Sequence, residues 1–264
     1  MPKIFLSPST QDYNSYVNGG NEALYANLIA DAMEPYLRAS GIDFTRNDPN
    51  GNVSTSIAAS NAGNYDLHLA IHSNAAPANL AGMLRGSDVY YYRDSTRSRA
   101  AAEIFANNLK LIYPSPDLVA AVPTTTLAEL RRTAAPAVLV EVAYHDNIDD
   151  ANWITGNIEK IAENLALSAA DYLGVPFVEP SNFARRSFPK HTAPKKCRER
   201  SFTGVPGILR YTRPIFSFIR TRKARAAVCS VPPQSRVRTS APVDIWRCLE
   251  YCGRKIPPRQ AALL

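Results

Sequence analysis

Three ionisable residues stand where an α/β chain could put them to chemical use. His72 lies near the end of DLHLAIHSNA, an apolar run that reads as a buried strand and gives way to small polar residues. Open α/β sheets place their sites at the C-terminal ends of such strands; a hydrogen-bonded structural histidine is the plainer reading of a lone His. Glu141 is the single charge inside AVLVEVAY. Burying a carboxylate there costs on the order of several kcal/mol unless it is paired, protonated or turned toward a metal, and an ion pair with an arginine is the simplest remedy. Glu22 opens a long helical stretch directly after Gly19 and Gly20, where an acidic side chain complements the helix dipole on its own account. All four cysteines (Cys197, Cys229, Cys248, Cys252) fall late in the chain. A metal held by the first part must therefore use His, Asp or Glu.

The elements that must position these residues alternate short β-like runs with amphipathic stretches. Strands are predicted at residues 3–6, 42–46, 66–72, 86–92 and 137–144. Residues 21–37 carry Leu24, Leu28, Ile29, Met33 and Leu37 at helical spacing, with Gly41 as a stop. Further helices are predicted over 95–112 and 149–173, the last with acidic residues at its start. This alternation forces crossover connections and predicts an α/β fold: a mostly parallel twisted sheet with helices on both faces, followed by an irregular basic tail. The run at 137–144 reads as a central strand buried on both sides.

Charge divides the chain more sharply than hydrophobicity does. Residues 1–175 hold 11 Lys+Arg against 19 Asp+Glu, whereas 176–264 hold 19 against 4. The sequence pI of about 9.3 thus averages an acidic part with a basic one, and nucleic-acid binding does not follow from it. The expected organisation is a globular domain over 1–175 and a Pro-, Arg- and Ser-rich tail over 176–264, disordered by composition. A small binding module, or an out-of-frame extension, are the other readings of that tail.

LSPS after the first strand, NE at the start of the next helix, IHSNA and PAVLVEVAYHDN occur in that order. Together they resemble the zinc-dependent N-acetylmuramoyl-L-alanine amidases of the amidase-3 type, a family of phage lysins and bacterial autolysins, over about residues 3–173. The resemblance implies one zinc ion and hydrolysis of the amide joining N-acetylmuramic acid to L-alanine in peptidoglycan. It makes Glu22 and His72 zinc ligands and Glu141 the catalytic carboxylate. Zinc would polarise the carbonyl and acidify a water, and Glu141 would carry the proton to the leaving amine.

One family feature is missing. Where a further histidine ligand is usual after the first strand, this chain reads SPSTQDYN, with Thr10 at the corresponding place. His68 shares a strand face with His72 but sits about 13 Å away at roughly 3.3 Å per residue, while two ligands of one zinc lie only about 3 to 3.5 Å apart. It is read as structural. His145 follows the last strand and is the candidate replacement ligand, or a catalytic imidazole. Gln11 and Asn14 are neutral amides and weak zinc ligands, better suited with Asn74 to substrate contacts. Glu129, just ahead of the last strand, could line a cleft but reads more simply as an exposed helical residue. The alternative to an enzyme is a peptidoglycan-binding domain that has lost a ligand.

No stretch reaches the roughly 18 apolar residues of a membrane span, and MPKIFLSPS lacks the apolar core of a signal peptide. The expectation is a protein made in the cytoplasm that acts at the bacterial cell wall. Its expected partners are peptidoglycan and, through the tail, anionic wall polymers; no nucleic acid is expected.

Overall fold

The computed structural model describes residues 1–181. Six strands form one sheet in the order β2-β1-β3-β6-β4-β5: β1 (Lys3–Pro8), β2 (Asp43–Arg46), β3 (Leu67–Asn74), β4 (Ser87–Tyr92), β5 (Val119–Thr124) and β6 (Ala137–Tyr144). Strands β2, β1, β3 and β6 run parallel. Strand β4 pairs antiparallel to β6, and β5 follows β4 in parallel. The mostly parallel α/β sheet expected from the alternation is present, with one reversal inside it.

Alternation along each strand divides the side chains between two faces. Ile4, Leu6, Leu67, Leu69, Ile71, Val138 and Val140 belong to the larger core. Helices α1 (Glu22–Ala39), α3 (Thr96–Leu109) and α6 (Ile158–Leu173) bury Ile29, Met33, Phe105, Leu109, Ile161 and Leu165 in the same core. Their intervening positions, including His68, Ala70, His72, Leu139 and Glu141, therefore face the other way. That side carries α2 (Val53–Asn61) and α4 (Ala128–Arg132), over a small apolar cluster of Ala70, Leu130, Ala137 and Leu139. Helices cover both faces as expected, but unequally. Polar chemistry belongs to the thinly covered face, where a second large hydrophobic layer does not compete for the space.

Several elements depart from the expected boundaries. The predicted helix over 149–173 is two: α5 (Ile148–Gly156) and α6, broken where Asn157 leaves the helical region at φ −131° and ψ 26°. Asn147 caps α5 by accepting from the backbone of Asp149 and Asp150. Strand β5 and helix α2 were not predicted. The first contains Pro123 and lies at the sheet edge, where a proline removes no ladder hydrogen bond that matters. The second is a Ser-rich segment started by a capping box between Asn52 and Thr55.

The composition boundary at 175/176 is followed by packed chain. Phe177 stacks on Tyr36 with ring centroids 5.8 Å apart, and the Val178 amide donates to Ser40 Oγ at 2.9 Å. The expectations for the rest of the tail, its cysteines included, lie outside the described residues. Among the described residues no helix is long and apolar enough to cross a membrane.

Candidate active site

The site lies at the C-terminal ends of β1, β3 and β6, and local sequence explains how each group arrives there. After β1 the chain crosses the sheet edge as a loop pinned by Ser9 N–H to the Ile71 carbonyl (2.9 Å) and by Glu22 N–H to the Asn14 carbonyl (2.9 Å). Gly20 sits at φ +80°, in the left-handed region that strains any side chain, and a Cβ there would also press on the Tyr25 ring at 2.7 Å. The turn delivers Asn21 as the N-cap, its side chain accepting from Leu24 N–H at 2.8 Å, and so fixes Glu22 at the first position of α1. Glu22 is buried (1% exposed). Its carboxylate is aimed at the sheet, beyond the dipole role it would have served in solvent.

His72 and Glu141 are register partners on adjacent parallel strands. The pairing shifts between His72 and Asn74, an irregularity of the bulge type that re-aims side chains beside many active sites. His72 Nδ1 lies 2.8 Å from Glu22 Oε1 and 3.4 Å from Gln11 Nε2. Asn14 Nδ2 donates to Glu22 Oε2 at 2.6 Å and to Gln11 Oε1 at 3.2 Å, and the Tyr13 hydroxyl also donates to Gln11 Oε1 at 2.8 Å. Gln11, Asn14, Glu22 and His72 thus form one cluster, with Glu141 beside it. Glu141 Oε2 is buried without a hydrogen-bond partner.

Electrostatics follow from this crowding. Burial opposes the His72 imidazolium, but the carboxylates of Glu129, Glu22 and Glu141 outweigh it and raise the ring to about 10. Burial also works against the Glu22 carboxylate; its bonds from His72, Asn14 and Ser9 prevail and lower its pKa. For Glu141, burial is the main cause of a rise to about 8; the His72 charge opposes the rise, while Glu22 and Asp88 add to it. A carboxyl held in that range can both take and return a proton near neutral pH.

His145 and Asn74 sit next to the cluster but not in it. His145 Nδ1 lies 3.0 Å from the Ser73 carbonyl oxygen and 3.1 Å from Ser73 Oγ, and the ring stacks on Tyr16 with centroids 5.4 Å apart. Only Nε2 of His145 remains to meet a metal. Asn74 Oδ1 accepts from the Ala75 amide at 2.9 Å, the strand-end capping bond such a residue makes locally.

Glu129 departs most from expectation. It is helical, on α4, but buried (5% exposed) rather than on the surface. Its Oε1 accepts from Ser7 Oγ at 2.6 Å and lies 2.9 Å from His68 Nε2. Its Oε2 stands 3.8 Å from His72 Nε2. The spacing of His68 and His72 on one strand face was readable; the partner that bridges them is 61 residues away from His68 in the chain, and no local pattern announces it.

The donor set can be tested against zinc. A carboxylate oxygen and an imidazole nitrogen converge within 2.8 Å, and a second carboxylate backs the far side of the ring, the arrangement metal-binding histidines ordinarily have. Those two residues fit. The third position is met by the neutral Gln11 amide, and among the described residues no three His, Cys, Asp or Glu form a group suited to a metal.

Comparison with known proteins agrees with this fold. The family described as N-acetylmuramoyl-L-alanine amidase (amidase-3) matches residues 9–170. Among solved structures, an N-acetylmuramoyl-L-alanine amidase of Nostoc punctiforme is similar at 18% identity and a TM-score of 0.58, over 66% of this chain and 97% of that one. An N-acetylmuramyl-L-alanine amidase of Mycobacterium smegmatis is similar at 19% identity and a TM-score of 0.56, over 66% and 97%. The catalytic domain of the CD27L endolysin, which targets Clostridia difficile, gives 21% identity and a TM-score of 0.54, over 68% and 100%. Comparison with curated proteins finds no match.

Proposed function

This chain belongs to the N-acetylmuramoyl-L-alanine amidase family, amidase-3 type, and from that premise we propose that it hydrolyses the amide between N-acetylmuramic acid and L-alanine in peptidoglycan with the help of one zinc ion. The observation that carries the reading is the convergence of Glu22, His72 and the unpartnered Glu141 oxygen at one strand end. Glu22 and His72 would hold the zinc, which when bound supplies Lewis acidity to the scissile carbonyl and a neighbouring water. Glu141 accepts the proton of the attacking water and passes it to the leaving nitrogen, so that the amine departs neutral. Gln11 and Asn14 present amide groups beside Glu22, placed to orient the glycan or peptide around the bond, and Asn74 lies at the adjoining strand end. The bacterial cell wall is then the site of action.

The test is incubation of purified full-length chain with peptidoglycan, scoring free L-alanine amino ends, together with zinc content. Release of amino ends that a chelator abolishes and zinc restores is the expected result, with about one zinc per chain. Zinc content of Gln11→Ala and His145→Ala decides the third ligand. A second reading is favoured by Thr10 and the incomplete donor set: a domain that binds peptidoglycan without cutting it. Wall sedimentation with no amino-end release and no zinc would establish that reading and sink the first.

A further inference from the structure

We infer that Glu129 is a positioning residue of the site: its second carboxylate oxygen faces His72 Nε2 at ion-pair distance and keeps the ring turned with Nδ1 toward Glu22 and toward a metal. The inference rests on the proposed zinc reading for its consequence and on geometry for its substance.

Glu129 has two oxygens with separate duties. Oε1 is taken by Ser7 Oγ (2.6 Å) and His68 Nε2 (2.9 Å). His68 is fully buried, and its Nδ1 lies 2.9 Å from Ser60 Oγ. A carboxylate oxygen can only accept, so Nε2 is the nitrogen that donates to Glu129. Two donors from the protein interior thus immobilise the carboxylate through one oxygen. Oε2 is left pointing at His72 Nε2 at ion-pair distance, 3.8 Å, with the Glu129 side chain 6% and the His72 side chain 14% exposed.

Helix α4 is itself tied down. Thr133 Oγ1 donates to the Glu129 carbonyl, and Asn61 of α2 joins the Arg132 carbonyl and the Ala134 amide at 2.8 Å each. The row Ser60, His68, Glu129, His72, Glu22 therefore crosses the thinly covered face from α2 to α1. A carboxylate behind a metal-binding histidine fixes the orientation of its ring, and loss of such a partner costs about 10- to 100-fold in metal affinity.

The experiment uses the full chain, nitrogen-15 labelled, with four histidines to assign. Imidazole NMR of the metal-free protein reads exchange protection of the His72 Nε2–H, and competition with a chelator reads zinc affinity. In Glu129→Gln the protection is expected to be lost and affinity to fall about 10- to 100-fold, with the backbone amide spectrum retained. Glu129→Asp, which keeps the charge but withdraws it by one methylene, shifts both readouts the same way and serves if the Gln variant fails to fold. Unchanged protection and affinity in the folded variants would overturn the inference. If the unmodified chain takes up no zinc, the metal reading falls on its own, and the Nε2–H signal alone then decides the role of Glu129.

Discussion

Glu141 combines two features in one side chain: a place opposite His72 in the register of the sheet and a buried oxygen with nothing to bond. Replacing it by Gln keeps shape and removes the titration. Amino-end release by Glu141→Gln should fall by about 10²- to 10⁴-fold, the usual worth of a general acid–base group, with zinc content unchanged; full activity in that variant would remove Glu141 from the mechanism. The same substitution has an opposite effect on stability. Because folding raises the Glu141 pKa from 4.5 to about 8, the folded chain favours the protonated carboxyl. Its contribution is whole below about 4.5 and is lost as pH rises through about 8, at roughly 1.4 kcal/mol per pH unit. Metal-free Glu141→Gln should therefore gain on the unmodified protein in thermal melts between pH 5 and pH 8; a constant difference would contradict the burial argument. These residues were legible in sequence for a physical reason: a charge in an apolar strand and a histidine at a strand end each conflict with their surroundings. Glu129 was not legible, because AELRR is an ordinary helical segment whose burial depends on packing against a distant strand.

Among elements, α1 is the one on which the site depends most directly, since its first residue is Glu22. Asn21→Ala removes the cap bond to Leu24 and should cost about 1 kcal/mol in denaturant unfolding. It should also weaken zinc uptake, whereas an equal loss of stability from a distant cap, such as Asn52→Ala on α2, should leave uptake unaltered. Strand β4 depends on a glycine in a different way. Gly86 sits at φ +126°, and a Cβ there would fall 2.5 Å from the Leu118 carbonyl oxygen. Gly86→Ala should destabilise by about 3 kcal/mol or more, strain and collision combined, as a lowered denaturation midpoint. Long, strongly periodic stretches such as α1 and the buried run of β6 were legible from the chain. The elements that were not, β5 and α2, have a proline at an edge or few apolar residues, and acquire their form from neighbours.

At the scale of the molecule, the family match over 9–170 lies within the described residues, and Phe177 and Val178 pack against the end of α1 beyond it. A chain ending at Ser181 should release amino ends at the rate of the full protein within about twofold, whereas one ending at Gly174 should melt lower for want of those contacts; loss of release in the longer truncation would assign the tail a part in catalysis. The reversal of β4 and β5 against β6 has a practical consequence. Their C-terminal ends point away from the site, so the turn through Arg93, Asp94 and Ser95 lies at the opposite pole of the sheet from His72. Residues 1–181 contain no cysteine, and Asp94 is exposed. Asp94→Cys in the chain ending at Ser181 would thus carry a single thiol, through which the protein could be tethered to a bead or electrode with its site turned outward to a suspension of cell walls.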